Sequence, residues 1–196
     1  MSMSVEQFVS LSDTEQLQTI KDLNDISQED IIIDVLTGVG IDNLSAPLLG
    51  ELGRAYNNND KPEEAIKVFK AIDTAHRDAV WHYRCAYSHG SIASTNHEAY
   101  TSENMQQMLA LVDNGVQLAI KEDRNDIKEY CFEVMDMCRL QMDFEKCEVD
   151  YPDLCLNYSK YIAEKKKKRE GVPRQRTITV EEILATDDMW TINEPA

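Results

Sequence analysis

The stretch from Leu49 to Phe69, LGELGRAYNNNDKPEEAIKVF, constrains the chain most. Leu49, Leu52, Gly53 and Tyr56 recur at helical spacing, and Ala65 and Phe69 do so again after the polar turn NNNDKP. Ser45 is placed to cap the first helix, with Pro47 in its first turn, and Pro62 restarts a second. The pattern predicts helices over about 46–57 and 62–74. Two helices this short cannot bury their own apolar stripes, so the stretch requires neighbours on both sides.

The spacing large–x2–Leu–Gly–x2–Tyr, then Ala–x3–Phe, resembles one tetratricopeptide (TPR) repeat, a helix–turn–helix unit of about 34 residues. The resemblance implies that Gly53 and Ala65 are small because helices A and B approach closely there. A second unit starts in AVWHYRCAYSHG. Placing Trp81 at the repeat's third position sets Cys85 and Ala86 where Leu52 and Gly53 stand, and His89 where Tyr56 stands, an offset of 33 residues. His89 for Tyr departs from the pattern. The polar stretch HGSIASTNHEAYTSEN then separates this segment from a long amphipathic run over NMQQMLALVDNGVQLAIKED, in which Gly115 is a weak point.

On the N-terminal side, Asp13 begins a helix with Leu17, Ile20 and Leu23 on one stripe, broken at Asn24-Asp25. Ser27 is placed to cap the next, with Asp30 three residues on. The β-branched run IIIDVLTGVG also suits a buried strand; helix is preferred because helices follow and no partner strand is evident. Gly38 and Gly40 end it. Further on, Asn125 or Asp126 caps a helix carrying apolar residues from Ile127 to Met142, and Pro152 starts the last strong one. The fold expected is all-α, a short irregular TPR-like solenoid of antiparallel helix pairs over 1–164. The run KKKKREGVPRQR makes 165–176 a basic linker. Residues 177–196, with Trp190, form a tail, either packed back on the domain or docking on a partner.

Twenty Lys+Arg against 36 Asp+Glu leave a net charge of −16, which disfavours nucleic-acid and anionic-membrane partners and favours a basic one. No apolar run has the length of a membrane span, and the N-terminus lacks the basic and apolar regions of a signal peptide. Five irregularly spaced cysteines read as reduced thiols in a cytoplasmic protein.

No catalytic pattern is present: no Gly-rich phosphate loop, GxSxG elbow or HExxH. His76, His82, His89 and His97 do not place two imidazoles at i, i+4, so a metal site is not expected. Cys131 and Cys138 share a helix face and read as core. A non-enzymatic protein with no cofactor is expected.

TPR-like arrays bind along the concave face lined by helix A. In this register Arg54, Asn57 and Asn58 project there from the first unit, and Tyr83, Arg84 and Tyr87 from the second. Two arginines in an acidic chain suit a carboxylate or acidic peptide. Alternatively the tyrosines pack between helices and the arginines pair with local acids. The Lys/Asn/Arg clamp of chaperone-tail binders is not matched, since Arg54 stands where its first Asn belongs. Residues 52–58 with Trp81–Arg84 and Ala86–Tyr87 resemble bacterial TPR-type proteins patterned LARAYNN…WHYR.GYA. That resemblance implies a protein or peptide partner, and for some such proteins an immunity role against a cognate, basic toxin.

Overall fold

A computed structural model describes residues 3–170, and these are all-α, with no strand among them. The chain divides at Ser159 into two units, described over residues 3–159 and 160–170. The first holds α1 (Val5–Val9), α2 (Asp13–Asp25), α3 (Glu29–Val39), α4 (Ala46–Asn58), α5 (Pro62–Ala71), α6 (Ala79–Thr95), α7 (Glu103–Lys121), α8 (Asn125–Met137), α9 (Phe144–Asp150) and the start of α10 (Pro152–Glu170). Of the second, residues 160–170 are described. They continue α10 through the lysine run, so the stretch read as a linker from 165 is helical to Glu170. Lysine favours helix, and the Lys165 ammonium lies 4.6 Å over the Tyr161 ring. The expected remainder of the linker and the tail with Trp190 lie outside the described residues.

Helices pair in sequence, α2 with α3, α4 with α5 and α6 with α7. The even-numbered helices α2, α4, α6 and α8 also touch one another in succession, and each odd helix from α3 to α7 touches the even one that follows. The apolar stripes predicted from periodicity supply this core. Ile20, Ile32, Leu36, Leu52, Ala65 and Phe69 are fully buried and belong to one cluster that also takes in Leu49 and Trp81. Tyr56 packs half-buried against it.

The turns repeat as well. Ser27, Asp60, His97 and Asp123 all have positive φ, between 51° and 55°. In each case the next residue donates its N–H back to a carbonyl five residues earlier: Gln28 to Leu23, Lys61 to Tyr56, Glu98 to Ala93 and Arg124 to Ala119. This is the left-handed closure that ends a helix and frees the chain to start another. Ser27 is therefore the last residue of the turn and not the cap of α3, whose N-cap is Gln28 without a side-chain bond. Arg124, not Asn125 or Asp126, precedes α8 for the same reason.

Other sequence expectations shift in detail. The second helix of the central pair stops at Ala71, because Ile72 turns extended to bury its side chain and Asp73 caps a short turn through the Ala75 N–H. The polar stretch after Gly90 is in part helix, since α6 continues to Thr95. α8 ends at Met137, and Leu140 stands 96% exposed beyond it. α9 lies in a segment with no clear helical stripe.

Gly38, Gly53, Gly90 and Gly115 mark close approaches. A Cβ on Gly53 would stand 2.5 Å from the Phe69 ring, whose side chain is fully buried. Gly40, with φ 92°, ends α3 as its C-cap, and Gly38 lies in its last turn, where a side chain would meet Val5 of α1. Gly115 lies in an unbroken α7, with Cys131 Sγ and His82 Cβ at 3.0 and 3.2 Å from where its Cβ would be. Absence of a side chain here admits α6 and α8, and is not a weakness.

Gly53→Ala is expected to destabilise the fold by about 2 kcal/mol in urea denaturation, since the ring cannot withdraw. Phe69→Leu in the same chain should recover part of that loss. An unaffected Gly53→Ala would place the α4–α5 contact elsewhere.

Candidate functional site

All six residues that the repeat register directs inward line one open concavity of about 520 Å³. Arg54, Asn57 and Asn58 come from α4, and Tyr83, Arg84 and Tyr87 from α6; α8 closes the far side with Ile127 and Tyr130. The Tyr83 and Tyr130 rings stack at 5.3 Å with 28° between planes. Burial, more than any neighbouring charge, raises the Tyr83 phenol above its ordinary pKa, so it stays a hydrogen-bond donor.

The polar groups of this set differ in how free they are. Asn57 is 8% exposed; its Nδ2 donates to the Arg84 carbonyl at 3.0 Å, and its Oδ1 accepts from Ser88 Oγ at 2.7 Å. Arg84 Nη1 and Nη2 both donate to Glu51 Oε1 at 3.1 Å, and Nη1 also donates to the Gly50 carbonyl. Arg54 pairs with Asp25 at 3.2 Å, and Asn58 donates to Glu29. Arg124 on the rim is held by Asp126, whose carboxyl it draws below the usual range. The arginines thus pair with local acids and do not form a bare positive site. Tyr87 and Tyr130 are the side chains left to meet a ligand with their rings.

Glu51 had no part in the sequence expectations, and it organises the site. It is 5% exposed in the middle of α4. Its Oε1 takes the Arg84 fork from α6, and its Oε2 accepts from Asn24 Nδ2 of α2 at 2.9 Å, with Arg54 Nη1 at 3.6 Å. Asn24 Nδ2 also reaches the Glu51 carbonyl, as Asn57 Nδ2 reaches that of Arg84. The same amide-to-backbone bond therefore joins α2 to α4 and α4 to α6, from asparagines 33 residues apart. The signal in the sequence was a glutamate inside the apolar run Leu48–Ala55, together with that asparagine spacing.

Elsewhere, Cys155 Sγ lies 3.1 Å from Cys147 Sγ, both buried. No three His, Cys, Asp or Glu side chains among the described residues gather as a metal site. The five cysteines are buried, and burial pushes Cys85 and Cys131 up to about 12 and Cys138 to about 11, which keeps them as thiols. No protein-family model matches this chain, and no curated protein or solved structure matches it either.

Two outcomes test this geometry. Glu51→Ala leaves the Arg84 guanidinium without its anion and should cost about 3 kcal/mol in urea denaturation, whereas Glu51→Leu with Arg84→Met should recover most of it. His82 and His89 are both held below their ordinary 6.5, chiefly by burial. Above that value both are neutral in fold and unfolded chain alike. As pH falls below it, the unfolded chain takes protons that the fold refuses, and stability is lost on the way down to the folded pKa values. NMR titration should place both imidazoles below 6.5.

Proposed function

We propose that this protein is a TPR-like helical solenoid that binds a partner protein or peptide along the face made by α4, α6 and α8, and that it has no enzymatic activity. One observation carries this: six side chains chosen by a single repeat register line a single open concavity, with an aromatic stack on its wall. The repeating turns and the repeated asparagine bond support the repeat architecture. Tyrosine rings beside arginines that are already oriented are the side chains enriched where binding energy concentrates. Because those arginines are paired, recognition rests on tyrosine rings and on hydrogen bonds to groups the fold already holds in place, more than on net positive charge.

The chain's net charge of −16 favours a basic partner outside the groove's aromatic centre. A protein that neutralises a cognate basic toxin is the narrower form of the same interaction. No described helix is long and apolar enough to cross a membrane, which is compatible with the proposed cytoplasmic location.

Affinity capture from the native host's lysate tests the groove. A partner retained by the wild-type chain should be lost, by tenfold or more, with Tyr87→Ala plus Tyr130→Ala, while thermal unfolding stays close to wild type. Equal retention by the folded double variant would remove this face from the interaction.

A further inference from the structure

A second recess, of about 400 Å³, opens between α5 and α7, over α6. Lys70, Thr74, Arg77, His82, His89 and Gln107 supply its polar groups, and Trp81, Cys85 and Leu111 its apolar ones. In a chain with 36 acidic residues, none of the described side chains lining it is a carboxylate.

Its arginine is held differently from Arg54, Arg84 and Arg124. Arg54, Arg84 and Arg124 each pair with a carboxylate. Arg77 instead donates from Nε to the Ile72 carbonyl at 3.0 Å and from Nη2 to the Lys70 carbonyl at 3.4 Å, with its guanidinium 4.5 Å over the Trp81 ring. Carbonyls and a ring orient the fork without neutralising it. Among the described residues neither Arg77 nor the exposed Lys70 has a carboxylate within ion-pair distance.

The back wall is preset too. His89 is 6% exposed and stands where the central repeat has Tyr56; its Nδ1 lies 3.0 Å from Asn104 Oδ1, and the Asn104 amide is anchored on Glu98. Beyond the effect of burial, Arg77 lowers the His82 pKa and Lys70 that of His89, against the opposite pull of Asp78 on the first and of Asn104, Glu103 and Glu98 on the second. Arg77 and Lys70 are thus close enough for their charge to be felt at His82 and His89 respectively.

We propose that this recess binds a phosphate group. A fixed guanidinium fork, an exposed ammonium and the Gln107 amide line a volume that admits a phosphorylated small molecule or a phosphorylated side chain, with the Thr74 hydroxyl, which donates to Asp73 Oδ1 at 3.5 Å, beside them. The site is separate from the concavity at α4, α6 and α8 and does not depend on the function proposed for it.

Isothermal titration of the full chain with inorganic phosphate, pyrophosphate and a phosphoserine peptide tests it, each against wild type, Lys70→Met and Arg77→Met. Wild type should bind at least one of them, and each variant should bind it about tenfold more weakly or worse. Lys70 is exposed, so Lys70→Met should unfold at the wild-type temperature without ligand, which keeps the test valid if Arg77→Met, stripped from Trp81, folds poorly. Tighter binding of the free anions marks a small-molecule ligand, and tighter binding of the peptide marks a phosphorylated protein. Absence of binding to all three probes, or wild-type affinity in Lys70→Met, would overturn the proposal.

Discussion

A carboxylate placed inside a helical core sets the terms for the rest of this fold. Taking Glu51 out of water costs several kcal/mol unless both oxygens find donors of good geometry. They do so only because α2 brings Asn24 to one oxygen and α6 brings Arg84 to the other. Three helices distant in sequence are therefore held at one rotational setting about α4. The Phe69 ring fills the space that Gly53 leaves on another side of the same helix. α4 is thus fixed by charge and amide bonds toward α2 and α6, and by shape toward α5.

That arrangement separates two kinds of polar group in the candidate groove. Asn57 and Arg84 line it but spend their hydrogen bonds inward, so they shape its floor. Tyr87 and Tyr130 keep ring surface toward the opening, and Asn58 and Arg54 stand at its edge, bonded to Glu29 and Asp25. Positive charge that the repeat register suggested for the groove is paired with carboxylates there, while Lys70 and Arg77, which no motif singled out, line the recess beside α5 and α7.

Much of the architecture was legible in the residues because it depends on local periodicity. The stripes Leu17–Ile20–Leu23 and Leu49–Leu52–Tyr56, the proline starts at 62 and 152, and the smallness of Gly53 all follow from rules that act within one or two turns of helix. The turns were harder. Ser27 meets the sequence rule for a helix cap, yet the closure of α2 uses it first as a left-handed residue. That Arg54, Asn57 and Asn58 share one helix face, and Tyr83, Arg84 and Tyr87 another, was legible from helical spacing, and the two faces line one concavity. Their bonding was not legible, since Arg84 finds its acid 33 residues away and Asn57 its carbonyl 27 residues away. Such pairs exist only once the helices have packed, and α9 likewise carries too short and mixed a segment to declare itself.

The tie between Asn24, Glu51 and Arg84 has a consequence for how such a chain can change length. Each residue along a helix turns the chain by roughly 100°. A single insertion or deletion between Ala46 and Glu51 would swing the carboxylate away from both partners at once and strand it in the core. Between Asn96 and Ser102, outside any helix, an added residue disturbs no member of that tie. Lineages of this protein should therefore vary in length at the α6–α7 connection and hold the first half of α4 to a constant count, so that the buried glutamate acts as a ruler for the helix that carries it.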